Sequence, residues 1–213
     1  MAIPRALQPK SLFKNAFSTV VHSANSKYRF YMEKVSFHNI MQTALYFQDE
    51  DESLQGQVLQ QQKTYDNVNF DVKILNCLFW NCKAENNGGA LFYNGWSNSF
   101  EMQKSTFVSC FNEKGTKHHI SQKDEGGGGG GAAYLNCNSG VMKECCFQKC
   151  SGSSKLYGSA AMALANKQFT ISQILCEDCK SETPITGPVL WCQAYNTLET
   201  KNINITGGNS KEC

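Results

Sequence analysis

Apolar residues recur along this chain at spacings that predict short strands separated by corners. Phe79, Phe107 and Phe147 each stand three positions before a cysteine, and Phe37 stands three positions before an isoleucine. Positions two, five and seven residues before each of these phenylalanines are mostly small or apolar. Apolar residues two apart share one face of a strand, and each break in this alternation predicts a corner. Each unit therefore consists of short strands and not of a helix.

The units repeat every 28 to 29 residues: Phe79 to Phe107 spans 28 residues, and Phe147 to Cys176 spans 29. A second element, a glycine shortly before an apolar pair, follows in each unit: GGAL at Gly88, GGAA at Gly130, GSAA at Gly158 and GPVL at Gly187. Glycine at such a corner predicts a positive φ or a close backbone approach. The predicted interior column is Phe79, Phe107, Phe147, Cys176 and Ile203.

A repeat of this length predicts a solenoid, because no unit can bury its apolar face alone and stacking closes a continuous core. The predicted fold class is all-β, a right-handed parallel β-helix of about six rungs. We assign residues 1–29 to an N-terminal segment or cap and residues 30–213 to the repeat domain. Two insertions, residues 48–69 and 112–129, exceed the common rung length and are predicted to protrude as loops. The second leads into six consecutive glycines, Gly126 to Gly131, and is predicted to be mobile.

The pairing of Phe-x-x-Cys with Gly-Gly-Ala-Leu resembles the repeat pair of the polymorphic outer-membrane proteins, GGA followed by Ile, Leu or Val, with Phe-x-x-Asn. The resemblance covers about residues 30–206 and implies a right-handed β-helix on a cell surface, with adhesion as the usual role. Cysteine stands where that family has asparagine, at Cys82, Cys110, Cys150 and Cys179. This departure resembles cysteine-bearing repeats in predicted surface proteins of eukaryotic microbes.

Composition narrows the classes of function. The chain has 213 residues and a net charge of +2, which gives no support for nucleic-acid binding. No apolar run approaches the length of a membrane span, and the first residues do not form a convincing secretory signal. The resemblance favours a cell-surface or secreted location, with a cytoplasmic location as the alternative. The partners expected are a host or matrix protein or a glycan.

The eleven cysteines of the chain allow three interpretations. Cysteines stacked on neighbouring rungs would lie ~5 Å apart, within the Cα range of a disulfide, but with parallel Cβ directions. Buried free thiols are therefore favoured over disulfides, and both over a metal site. Cys176-x-x-Cys179 lacks a second ligand pair at zinc spacing, and His118-His119 fits a solvated loop. We predict no metal and no cofactor.

Carboxylates do not recur at one position of the repeat, as shown by Asp66, Asp71, Asp124, Glu177 and Asp178. We therefore predict no enzyme and no catalytic residues, and a non-catalytic scaffold, adhesin-like or structural. The alternatives are a carbohydrate-active β-helix enzyme and an intracellular scaffold.

Two further features bear on binding and modification. One aromatic column would face ligands if it pointed outward, although an inward, core position is favoured: Tyr46, Phe92, Tyr134, Met162 and Trp191. Asn204 begins an N-glycosylation sequon, which makes it a candidate modification site.

Overall fold

A computed structural model describes residues 11–23, 29–48, 71–85, 87–113, 129–152, 158–181 and 189–207. These residues form strands, corners and turns, with no helix in the described ranges, and hence none that could cross a membrane. Residues 49–70 and 114–128, which make up most of the two predicted loops, lie outside the described residues.

Eighteen strands follow one another along the described residues. They are β1 (Leu12–Lys14), β2 (Val21–Ser23), β3 (Phe30–Glu33), β4 (Ser36–His38), β5 (Leu45–Gln48), β6 (Val72–Leu75), β7 (Leu78–Trp80), β8 (Lys83–Ala84), β9 (Leu91–Gln103), β10 (Thr106–Val108), β11 (Phe111–Asn112), β12 (Ala133–Lys143), β13 (Cys146–Gln148), β14 (Ser151–Gly152), β15 (Ala161–Glu177), β16 (Lys180–Ser181), β17 (Leu190–Ala194) and β18 (Thr197–Thr206). Fourteen strands form one curled sheet, and β8, β11, β14 and β16 form a second.

Every strand pair in the described part of the chain is parallel, and each joins equivalent residues of successive repeat units, here called rungs. Parallel pairing places residues of the same repeat position directly above one another. One such column runs through Phe13, Phe37, Phe79, Phe107, Phe147, Cys176 and Ile205. The strands β1 and β2, within the predicted N-terminal segment or cap, join this stack through β4 and β5.

The predicted interior column is confirmed at Phe79, Phe107, Phe147 and Cys176 and is wrong at Ile203. Ile203 pairs with Ile174, and Ile205 pairs with Cys176. A step of 29 residues from Cys176 reaches Ile205, so the predicted residue of the last rung lies two positions too early in the chain. Gly207 has a positive φ of 67°, as Asp178 has one rung earlier at 52°, which fixes the same register.

Three kinds of corner connect the strands. The first carries left-handed residues at Lys34, Asn76, Lys104, Glu144, Gln173 and Asn202, and the second carries them at Asn15, Asn39, Asn81, Ser109, Lys149 and Asp178. The third corner uses Gly88, Gly130 and Gly158, with φ between 63° and 74°. A Cβ on Gly131 would lie 2.1 Å from the Ser159 carbonyl oxygen and 2.2 Å from that of Ser151. The predicted roles of the glycine pair, a positive φ and then a close approach, are therefore confirmed.

The main core is the space enclosed by the curled sheet. Phenylalanine rings stack along it, with centroids 4.7 to 5.3 Å apart and interplanar angles of 6° to 10°. This spacing follows from the separation of neighbouring strands, ~4.8 Å. Aliphatic, methionine and cysteine side chains complete the core, and the members from Met32 to Val189 are almost fully buried.

Candidate functional site

The strands β1, β4, β7, β10 and β13 are three residues long and lie between the first and second corners. With the ends of β15 and β18 that pair with them, they are here called the second sheet segment of the large sheet. The middle residue of each points into the main core, so the first and last residues point to solvent. The last residues form an outer column of changing chemistry: Lys14, His38, Trp80, Val108, Gln148, Glu177 and Thr206. This outer face carries an exposed aromatic ring beside fixed polar groups.

Trp80 is that ring, with 47% of its surface exposed. His38, its partner on the preceding rung, meets the indole edge-on, with ring centroids 5.1 Å apart and an interplanar angle of 87°. Burial, with a smaller contribution from the charge of Lys14, lowers the pKa of His38, so its imidazole is neutral at pH 7. A neutral imidazole edge therefore supports one side of the exposed indole.

An asparagine ladder follows this column at the second corner. Asn81 Nδ2 donates to Asn39 Oδ1 at 2.9 Å, and Asn39 Nδ2 donates to Asn15 Oδ1 at 3.0 Å. Each of the three residues comes directly after an outer-column residue and has a φ between 51° and 54°. Asparagine tolerates this left-handed conformation better than most residues. The ladder thus holds planar amides in a row beside Trp80.

The cysteine column lies inside the same corner. The single S–H of Cys110 is shared between two carbonyls, since Sγ lies 3.4 Å from the Phe79 oxygen of the preceding rung and 3.5 Å from the Val108 oxygen. Cys82, Cys150 and Cys179 make the same two kinds of contact. Burial raises the pKa of Cys110 and Cys150 well above the ordinary thiol value. These thiols are buried donors to backbone carbonyls.

No disulfide joins the ten cysteines of the described ranges, and eight of the ten are buried. No group of three potential metal ligands occurs among the described residues. Side chains at the first corner also donate hydrogen bonds to backbone carbonyls. Cys77, Ser105 and Cys145 donate to the carbonyls of Leu75, Gln103 and Lys143 at 3.2, 3.0 and 3.3 Å, respectively. Each donor satisfies a carbonyl two residues earlier in the chain, at the bend.

The aromatic column at Tyr46, Phe92 and Tyr134 stacks in register, with centroids 4.7 and 5.2 Å apart. It does not belong to the main core, since Leu91 and Tyr93 on either side of Phe92 do. These rings instead form a second cluster with Met162, Leu164 and Trp191. Phe92 and Tyr134 are therefore buried, as a core position predicts, but in a cluster separate from the main core, because the strand begins at Leu91 and the parity of its faces is set there.

Burial limits what this second cluster offers to a ligand. Phe92 is 5% exposed and Tyr134 is fully buried, while Tyr46 and Trp191 are half-buried. Burial also raises the pKa of the Tyr134 phenol. A ligand could stack on Phe92 or Tyr134 only after their surroundings moved. That this column faces a ligand stays a prediction.

Ionisable side chains meet on the outer face of the strands that precede the first corner, β3, β6 and the part of β9 that pairs with β6. Tyr31 Oη donates to Glu33 Oε2 at 2.7 Å, and Lys73 Nζ lies 2.8 Å from Glu101 Oε2. Glu101 is almost fully buried although it points outward. The hydrogen bond to Glu33 raises the pKa of Tyr31, and the same bond lowers the pKa of Glu33.

Asn204 lies in β18, where it pairs with Leu175. Asn204 and Thr206, the two defining residues of the sequon, are both exposed. The side chain that would carry a glycan is thus accessible in the folded chain, and its modification stays a prediction.

Sequence reasoning did not single out Trp80, His38 or the asparagine ladder. Strand alternation around Phe79 was the available signal, because an inward Phe79 places Trp80 outward. The chain matches no known protein family, no curated protein and no solved structure.

Proposed function

We propose that this chain is a right-handed parallel β-helix that acts as a non-catalytic scaffold on a cell surface, either adhesin-like or structural. The observation that carries this proposal is the unbroken parallel register from Phe13 to Ile205, with uniform apolar residues inside and changing residues outside. A rigid stack of this kind presents a long outer face whose residues are free to vary. The resemblance to the polymorphic outer-membrane protein repeats supports the same function.

The non-catalytic role is tested with a panel of acidic and neutral polysaccharides, incubated with the protein with and without calcium. We expect no new reducing ends and no unsaturated products above the level of heat-inactivated protein. Reproducible turnover that one carboxylate substitution abolishes would overturn the scaffold proposal.

A carbohydrate-active enzyme is the second candidate, and the group around Glu101 is the observation that favours it. A buried carboxylate beside a lysine, with a tyrosine nearby, contains groups that can donate and accept protons. Glu101→Gln and Lys73→Met test this candidate directly. If the protein cleaves a glycan in the panel, both variants should lose that activity, whereas Glu144→Gln, a substitution of a half-buried carboxylate at the first corner, should retain it.

The cell-surface location is tested by biotinylating intact cells of the source organism with a membrane-impermeant amine reagent. Lys34 and Lys104 are exposed at the first corner, with 55% of each side chain accessible, and provide labelling sites. We expect labelling of the protein on intact cells. Labelling only after lysis would favour the cytoplasmic alternative.

A further inference from the structure

The surface around Trp80 combines three features of a small binding site. The indole is exposed, the imidazole of His38 packs against it from one side, and the hydrogen-bonded pair Asn39 and Asn81 directly follows His38 and Trp80 in the chain. Binding sites for small ligands commonly pair an aromatic surface with a few fixed polar groups that orient the ligand. Here β7 and its following corner provide both from consecutive residues, Trp80 and Asn81.

The ladder leaves hydrogen-bonding capacity facing outward. An asparagine amide has two N–H donors and two oxygen lone pairs. Asn39 uses one donor on Asn15 and one lone pair on Asn81, which leaves one of each. Because successive amides are held one rung apart, ~4.8 Å, these remaining groups form a regular row.

The charge of this surface points to an uncharged ligand. The amides are neutral, and His38 is neutral at pH 7 for the reasons given above. The nearby cation Lys83 is already paired with Glu113 and lies over the ring of Phe111. Lys14 is exposed but two rungs from Trp80. An acidic ligand would find no unpaired cation next to the indole among the described residues.

From this geometry we infer that the chain binds a neutral saccharide, with one sugar ring stacked on Trp80 and its hydroxyls hydrogen-bonded to Asn39 and Asn81. A sugar ring has an apolar C–H face that suits an indole and a rim of hydroxyls that suits planar amides. The inference rests on the proposed scaffold function and names its ligand class. It involves residues that differ from the buried column at Tyr46, Phe92 and Tyr134.

Calorimetric titration with cellohexaose, maltohexaose and N-acetylchitohexaose tests the inference, with hexagalacturonate as the acidic counterpart. We expect at least one neutral hexasaccharide to bind, with an affinity that Trp80→Ala lowers about tenfold and Asn81→Gly about threefold. Asn81→Gly is chosen because glycine accepts the positive φ of 51° at this corner.

Leu175→Ala is the matched control. Leu175 is exposed on the same outer face, about three rungs from Trp80, and has no asparagine ladder beside it. This substitution should leave the affinity unchanged, and thermal melting should show that all three variants fold. Failure of every neutral sugar to bind, binding of hexagalacturonate alone, or equal losses in Trp80→Ala and Leu175→Ala would overturn the inference.

The outcomes separate the inference from the proposed function. Absence of sugar binding without glycan cleavage removes the saccharide site and leaves the scaffold proposal intact. Cleavage of a bound hexasaccharide would overturn the scaffold proposal and leave the binding site standing. Loss of affinity in Trp80→Ala and Asn81→Gly would then show that the sugar binds at these two residues.

Discussion

The two faces of the second sheet segment come from the same short strands and differ in what they tolerate. On the inner face, Phe37, Phe79, Phe107 and Phe147 repeat one side chain at one spacing. On the outer face, the residue that follows each of them changes every time, from His38 to Trp80, Val108 and Gln148. Burial against identical neighbours selects one ring shape, whereas solvent imposes no such match. The outer face is therefore where a function distinct from folding can be carried.

The inner face should respond most strongly to substitution. Phe107→Ala removes a fully buried ring that stacks on Phe79 and Phe147 at 4.7 and 4.9 Å. We expect the free energy of unfolding to fall by about 3–5 kcal/mol, since a cavity is added to the lost burial. Urea unfolding followed by circular dichroism measures the loss. Val108→Ala, one residue later on the outer face, is the control, and a loss for Phe107→Ala no larger than for this control would contradict the comparison.

Glycines at and near the third corner sharpen the comparison, because the chain approaches itself closely there. A Cβ at position 131 meets two backbone carbonyl oxygens, whereas a Cβ at Gly152 first meets the Asn112 side chain at 3.0 Å. We expect Gly131→Ala to cost about 1–3 kcal/mol, because backbone of the neighbouring rung must shift. Gly152→Ala should cost much less, since a side chain can move. Equal unfolding midpoints for the two variants in urea would show that the approach at Gly131 is not as close as described.

A structural feature of this chain could be predicted from the sequence where the same residue type recurs on each rung. The period set by Phe79 and Phe107 predicted the stacking column, because burial enforces the same residue on each rung. The prediction for the last rung is wrong at Ile203 because Ile203 and Ile205 are both apolar and lie two residues apart, so the spacing alone does not decide which one continues the column. The side of the sheet on which Phe92 lies could not be predicted, because the corner before the strand sets which of its residues point into the main core.

The asparagine ladder could not be predicted, for a related reason. Its bonds join residues 24 and 42 positions apart, and an insertion lies between two of them. The left-handed backbone that aligns the amides is shared with Ser109 and Lys149, so residue type alone does not mark the corner. Only the strand register brings Asn15, Asn39 and Asn81 into one row.

Raising the pH should destabilise the inner face through its thiols. Burial raises the pKa of Cys145 from 9.0 to about 12, and that of Cys77 from 9.0 to about 11. The folded chain therefore holds these protons more tightly than the unfolded chain. The resulting stability is complete below pH 9 and declines as the pH rises from 9 towards the folded-state pKa. Each such thiol should cost roughly 1 kcal/mol between pH 8 and pH 10.

Cys145→Ser isolates one of these thiols. Ser105 fills the equivalent corner of the preceding rung and donates to a backbone carbonyl in the same way, so serine fits this position. Urea unfolding at pH 8, 9 and 10 should show a shallower loss of stability in the variant, by roughly 1 kcal/mol over this range. Identical pH dependence in the two proteins would mean that Cys145 is not protected from ionisation by burial.

Substitutions on the outer face should change stability least. The second corner allows the effect of backbone strain to be measured separately from that of the amide hydrogen bond. Asn81 has a φ of 51°, which alanine adopts only with strain and glycine adopts freely. Both substitutions remove the same hydrogen bond to Asn39, an exposed bond of small net value. Asn81→Ala should therefore lower the free energy of unfolding by about 1 kcal/mol, and Asn81→Gly by less than about 0.5 kcal/mol. Thermal and urea unfolding of the pair decide between strain and hydrogen bonding as the source of corner stability. If glycine cost as much as alanine, the ladder would be a structural requirement of the fold, and the outer face at this corner would be as constrained as the inner one.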